Sequence, residues 1–260
     1  MTKLSYSDAN IKAMIKGIED GSITVLELPL DYYEALVKYL TKAVFEGFGA
    51  DLKTVSSLDL DLLEELVTNV YTFGAAKTFQ QTYEISSLLV DDEGKVRSSQ
   101  EFNELARKTY DNWNDNWGRT EYTTAVGQAN SASKWAEIER QKDILPSIRY
   151  DAVLDPNTSE ICAPLDGIVA PVDDPIWDKI MPLNHFNCRC VVLQTDEEPT
   201  SGNVEIVRGV TDDMQELFIN NSGKTGTIFN KDHPYFDVSK EYKEFALENF
   251  GLPIPSFKED

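Results

Sequence analysis

Through the first half of the chain apolar residues recur three and four positions apart, and that period predicts helices. Ile11, Met14, Ile15 and Ile18 share one face of a helix that Ser7 or Asp8 can cap and that Gly21 and Ser22 end near Asp20. After Pro29, the run Tyr32, Tyr33, Leu36, Val37, Leu40, Val44 and Phe45 keeps the period until Gly47 and Gly49, so the two segments read as an αα-hairpin or a docked pair. Leu62, Leu63, Leu66, Val70, Phe73, Ala76 and Tyr83 predict a third helix from Asp59 to about Leu89, closed by the turn signal at residues 91–95. From Ser98 or Ser99 to about Lys142 the spacing again predicts helix, one long element or two in series. Gly118 and Gly127 mark breaks or points of close approach within it.

Beyond Leu145 and Pro146 the period changes. Residues 148–154 alternate as a strand does, Asp155-Pro156-Asn157 is a turn, and residues 168–170 and 190–193 are two further short strands. The expected fold class is therefore α+β: a helical N-terminal half with a small antiparallel β module. An acidic linker, Asp196 to Asn203, follows it. The tail offers a helix at residues 211–220, a loop around Gly223-Lys224-Thr225, and an amphipathic helix near residues 239–250.

Composition narrows the function. With 24 basic and 45 acidic residues the chain carries a formal charge of −21, −8 of it in residues 1–142 and −13 in the remainder. Such a surface repels phosphate backbones and supplies no counterion-release drive, which argues against direct DNA binding. No apolar run is long enough to span a membrane and the N-terminus lacks a signal-peptide pattern, so synthesis and folding in a cytoplasm are expected.

Candidate chemistry is confined to one segment. All three cysteines and one of the two histidines lie between residues 155 and 190. Cys162, His185, Cys188 and Cys190 supply four soft or borderline donors, the number a closed tetrahedral zinc site needs, although Cys-x-Cys has a limited bite. Three readings stay open: a structural zinc ion, free buried thiols, or a disulfide between two of them. No general base is placed for a catalytic zinc. Gly223-Lys224-Thr225 does not make a phosphate loop, because Phe218 stands where that loop needs glycine; a solvated turn is expected. His233, followed by Pro234, Tyr235 and Phe236, reads as part of a packed surface loop. Arg119 and Glu121 read as a helix-surface ion pair or as an arginine lying beneath the cysteine-bearing sheet.

The order of these residues carries more than their chemistry. Arg119-Thr-Glu121, then Cys162-Ala-Pro-Leu165-Asp166-Gly167, then His185-Phe-Asn187-Cys188-Arg189-Cys190 closely resembles the head morphogenesis family of tailed phages, the minor head proteins of the phage Mu F and SPP1 types. The likeness covers about residues 115–195. Ser159 departs from it, standing where many members have a first cysteine, so a metal here must use Cys162, His185, Cys188 and Cys190. The resemblance divides the chain into a helical region, 1–114, that is a candidate for docking on a portal or scaffold; a minor-head module, 115–195; and a linker and tail, 196–260. It gives Arg119, Glu121, Leu165, Asp166, Gly167, Asn187 and Arg189 as structural motif residues. It implies a non-enzymatic capsid protein of the head interior, made in the bacterial cytoplasm, with the portal as partner, scaffold or major capsid protein as further partners, and a bearing on DNA packaging or ejection. The aromatic residues Tyr32, Tyr33, Phe45, Trp113 and Trp117 are then either docking anchors or core. Two alternatives remain at this stage: an enzyme of the toxin or transferase type found fused to this family, and a zinc-stabilised interaction module of non-phage origin.

Overall fold

The computed structural model describes residues 3–257 and is α+β, as the patterning predicts. Helices α1 (Asp8–Asp20), α2 (Leu30–Phe48), α3 (Leu60–Ser87), α4 (Ser99–Asp111) and α5 (Gly118–Gln141) precede a three-stranded antiparallel sheet. Local chemistry sets several ends. The Ser7 side chain accepts the Asn10 amide at the start of α1, and Gly21 closes that helix in the left-handed region at φ 80°. Ser98 caps α4 through the Glu101 amide.

The backbone divides into two compact units that interleave in sequence. One comprises Met1–Lys42, Val70–Tyr122 and His233–Asp260; the other comprises Ala43–Asn69 and Thr123–Asp232.

In the first unit α1, α2, the later part of α3, and α4 bury their apolar faces. Tyr32, Tyr33 and Trp113 are core residues, and Trp117, 42% exposed, lies edge-on to Trp113 at 4.9 Å. Three of the aromatic residues considered as docking anchors are thus consumed in packing. Between α4 and α5 one π-helical stretch, Asn112–Trp117, continues the helix with a wider turn, so the long region is one helical path with a π segment and not two separated helices. The Trp113 carbonyl accepts from Lys77 Nζ at 3.0 Å.

Lys77 is the least expected residue of this core. It is wholly buried on α3, and its Nζ lies 2.5 Å from Glu121 Oε2, a carboxylate that is itself 6% exposed. The second carboxylate oxygen of Glu121 accepts from the Tyr235 hydroxyl at 2.8 Å. Burial lowers the Lys77 pKa, and the adjacent Glu121 charge opposes that shift. His233 packs edge-on against Phe73 with ring centres 4.9 Å apart, as a packed loop requires; burial, then the charge of Lys77, lowers its pKa to about 4. The sequence pairs Glu121 only with its neighbour Arg119, whereas the cation held against its carboxylate here is Lys77, 44 positions away.

Residues 239–250 do not form the single amphipathic helix expected of them. A 3-10 turn, the short helix Lys243–Leu247 and a second 3-10 turn occupy the stretch. Asn249 and Phe250 adopt positive φ, which ends any helix and lets Phe250 stack on Phe79 at 4.7 Å.

The second unit holds the sheet. Strands β1 (Ser147–Asp151), β2 (Val169–Pro171) and β3 (Val191–Thr195) are ordered β2-β1-β3, with Ile148 opposite Ala170 and Tyr150 opposite Val192. Alternation puts Ile148, Tyr150, Ala170 and Val192 on the buried face, where Trp135, Ile138, Leu165 and Trp177 complete the core. The helix expected at 211–220 lies earlier, at Asn203–Asp213, because Val207 and Val210 are the residues that bury a face, with Met214 packing just after it. The Gly223-Lys224-Thr225 stretch is a packed helical turn and not a solvated one. Asn221 caps it, Ser222 is buried and bonds Gln128 at 2.6 Å, and a Cβ on Gly223 would sit 2.4 Å from the Trp135 side chain. Gly47 faces the Val126 carbonyl so closely that a Cβ would lie 2.0 Å from its oxygen.

Removing one partner of a buried pair strands the other charge. Lys77→Met is expected to cost about 3–5 kcal/mol, and Lys77→Met combined with Glu121→Gln to recover much of that loss. Urea denaturation of the two single variants and the double variant measures the coupling.

Candidate metal centre

The turn that leaves β1 is fixed by its own side chains. Asp155 accepts the Asn157 amide at 2.8 Å, Thr158 Oγ1 accepts the Asp155 amide at 2.7 Å, and Ser159 Oγ accepts the Cys162 amide at 3.1 Å. A 3-10 turn, Ala163–Leu165, then carries Leu165 into the core. Asp166 Oδ1 accepts the Ala152 amide at 2.9 Å, and Gly167, at φ 74°, donates its amide to the Tyr150 carbonyl at 2.9 Å. Leu-Asp-Gly is therefore a device for returning the chain to the sheet: a core anchor, a side-chain brace and a left-handed turn.

The second half of the segment closes on the first. Asn187 takes a left-handed conformation, φ 59°, so that the chain reverses and Cys188 and Cys190 face Cys162. The three sulfurs lie within 4.8 Å of one another, and Cys162 Sγ is 3.7 Å from Cys188 Sγ. Above them stands Tyr150, fully buried, whose hydroxyl donates to Cys162 Sγ at 3.5 Å and accepts from Asn184 Nδ2 at 2.9 Å. Arg189 points away from the sulfurs and forms a two-pronged pair with Asp155, at 2.7 and 2.8 Å. These Arg189 hydrogen bonds, with the Asn157 amide, hold the Asp155 carboxyl at about 2.

Electrostatics at the sulfurs is collective. Hydrogen bonds from Cys162 and Cys188 favour the thiolate of Cys190 and push its pKa down, and the Val153 amide also points at that sulfur. Cys188 moves the other way, raised by its bonds to Cys162 and Cys190 and by burial. The cluster thus favours one thiolate served by two thiols.

Of the four predicted ligands the structure gathers the three cysteines, all unpaired as thiols, and leaves His185 outside the group. The His185 ring meets the Phe186 carbonyl through Nδ1 at 2.8 Å, an arrangement that leaves Nε2 as the acceptor nitrogen. Zinc–sulfur bonds of about 2.3 Å at tetrahedral angles separate sulfurs by about 3.8 Å, so the spacing of Cys162 and Cys188 fits a bound ion. The amides aimed at Cys188 and Cys190 fit it as well, because N–H···S bonds stabilise thiolates. Arg119 is exposed and belongs to the other compact unit, as does Glu121. Tyr150 and Asn184 escape the sequence reading. Tyr150 could have been found from the alternation of β1, which turns it toward the same face as Ile148.

Asp155 has a depressed pKa, so its contribution to stability is present above about pH 4 and is lost as pH falls toward about 2. Arg189→Leu is expected to raise the Asp155 midpoint toward the ordinary carboxylate range and to reduce the acid dependence, the Asn157 amide keeping part of the depression. An NMR pH titration of the Asp155 side chain reads the shift directly.

Comparison with known proteins gives this segment its relatives. Residues 80–193 match the family described as Phage Mu protein F like protein. The "Mu-like prophage FluMu F protein" of Haemophilus influenzae is 36% identical over 79 residues, 30% of this chain and 18% of that protein. The "Putative capsid assembly protein F" of Escherichia phage Mu is 34% identical over 73 residues, 28% of this chain and 17% of that one. The likeness thus spans less than a fifth of the length of either relative. No solved structure matches this chain. Residues 80–193, which hold the three sulfurs, the Asp155–Arg189 pair and the buried Glu121, are the part of the chain that is similar to the Phage Mu F-like family.

Proposed function

We propose that this chain is a structural protein of a tailed-phage head, a minor capsid protein that joins the portal during procapsid assembly and ends in the head interior. The observation that carries the reading is the match over residues 80–193, together with a relative whose name is capsid assembly protein. The geometry supports it because the motif residues brace a fold. Leu165 fills the core, Asp166 and Gly167 turn the chain, and Arg189 ties its ends. The charge of −21 suits a protein that stays beside packed DNA without adhering to it. Among the described residues no helix is long and apolar enough to cross a membrane. The portal is the proposed partner, with scaffold or major capsid protein as further contacts and with an effect on DNA packaging or ejection. The proposed division of labour gives docking to the helical region 1–114, the braced module to 115–195, and the linker and tail to 196–260.

We also infer that Cys162, Cys188 and Cys190 hold a structural zinc ion; His185, which stands outside the sulfur group, would turn its ring toward them to serve as the fourth donor. Bound there, zinc would cross-link the turn after β1 to the strand entering β3, replacing shared protons by coordination. Tyr150 and Asn184 orient the sulfurs from above, and the Val153 amide supports Cys190.

Two measurements test these readings. Co-expressed with the portal protein of its own phage, the tagged chain is expected to pull the portal down and to sediment with assembled heads; recovery without either overturns the assembly role. Elemental analysis of reduced protein is expected to find about one zinc per chain. His185→Ala should lower that content and cost well over the ~0.5 kcal/mol typical of a surface change, whereas a metal-free protein unmoved by it removes zinc from the account.

A further inference from the structure

The two outer strands of the sheet are treated differently. Beyond β2 the edge is capped: the Thr200 amide donates to the Val169 carbonyl, Thr200 Oγ1 accepts the Val169 amide, and Asn203 Nδ2 donates to the same carbonyl, each at 2.9 Å. Beyond β3 no described residue plays that part. The backbone parity says which groups are left over. Tyr150 uses its amide and carbonyl toward Ile168 and Gly167 on the β2 side, so its partner Val192 points its own amide and carbonyl away from β1. Gln194, two residues on and opposite Ile148, does the same.

This open edge borders a groove of about 400 Å³ whose far wall is α5 at Gly127, Asn130 and Ser131. Ser131, on that wall, is 7% exposed, and its hydroxyl is buried without a hydrogen-bond partner. On the solvent face of β3, Val191 and Leu193 remain 48% and 42% exposed. An unpaired strand with exposed aliphatic residues and no blunting feature recruits another strand.

The sequence of the strand points to what that strand is. It begins with a cation, Arg189, runs through Cys-Val-Val-Leu-Gln-Thr, and ends in Asp196-Glu197-Glu198. Laid antiparallel on a copy of itself it is complementary in charge. The outward parity of Val192 and Gln194 allows only registers that pair even-numbered positions with each other, and among these the one that sets Arg189 opposite Glu197 pairs Val192 with Gln194 of the second copy and puts the two-fold axis at Leu193. Leu193 then faces Leu193 across a close, non-hydrogen-bonded position, and Arg189, already held by Asp155 of its own chain, lies opposite Glu197, already held by Arg149, at both ends, so the charges add to existing pairs. We propose that β3 is an isologous interface, at which two copies of this chain join their sheets edge to edge into one six-stranded sheet.

The net charge of −21 opposes this contact at long range, so association should tighten as salt screens it. In analytical ultracentrifugation the full chain is expected to show a concentration-dependent species of twice its 29.3 kDa mass, more populated at 0.5 M than at 0.05 M sodium chloride. Leu193→Lys and Leu193→Glu leave the buried face untouched and should each weaken the dimer at least tenfold; mixed together they should restore it. Leu193→Cys should give a disulfide-linked dimer on mild oxidation, whereas Val191→Cys, displaced from the axis, should not. A chain that stays monomeric at millimolar concentration and high salt overturns the proposal, and so does a dimer indifferent to both Leu193 charge variants. Equal cross-linking through Val191→Cys rejects the register. None of these outcomes bears on whether the chain binds the portal.

Discussion

Around Tyr150 the Mu F-like segment meets a single requirement: a hydroxyl and three sulfurs, all largely withdrawn from water, must be satisfied mostly from inside the protein. Tyr150 cannot leave, since with Ile148 it is an inward residue of the central strand. Its hydroxyl therefore needs Asn184 on one side and Cys162 on the other, and those two residues lie on opposite arms of the segment. Bringing the arms together forces the two sharp reversals, one glycine and one asparagine with positive φ, at Gly167 and Asn187. The motif residues follow from that closure.

The other unit solves a different problem with the same kind of answer. A π segment changes the phase of the α4–α5 path and presents the Trp113 carbonyl to Lys77. Lys77 is then held by that carbonyl and Glu121, and Glu121 by Lys77 and Tyr235. Such a network stabilises weakly for its number of bonds, because two charges have left water to make it. Its effect is to penalise alternative packings: a slip of α3 by one position would bury Lys77 among apolar side chains with nothing to accept its proton.

How much of this was legible in the sequence depended on whether the deciding interaction was local. Helix α1, with Ser7 before it and Gly21 after it, was plain because cap, period and stop all lie within a short window. The antiparallel sheet around the cysteines was readable from alternation, and the order of cysteines, Leu-Asp-Gly and His-x-Asn-Cys-Arg-Cys pointed to the right relatives. Lys77 was not legible. A lysine on a mostly apolar helix reads as a solvent-facing residue, and its partner lies 44 positions on. The tail failed for a related reason: residues 239–250 have helical spacing, but Phe250 gains more by stacking on Phe79 than the chain gains by completing two turns. Similarly, Gly223 looked like loop chemistry because nothing near it in sequence announces the indole of Trp135 against which it packs.

The pairing of Arg189 with Asp155 makes the intervening chain a closed loop, pinned at its base by the ion pair and again by the sulfurs. Beyond that base, the connection from Pro171 to Trp177 carries none of the groups that meet at Tyr150. The entropy of closing a loop grows only with the logarithm of its length, about 0.6 kcal/mol for each doubling. Insertions confined to Asp173 and Asp174 would therefore add little closure entropy as long as Val172, Ile176 and Trp177 keep their buried places, while a single added residue between Asn187 and Cys190 would disengage both pins. The segment is rigid in spacing at its two ends and permissive only at the turn where this chain has Asp173 and Asp174, so length can change there without moving either pin.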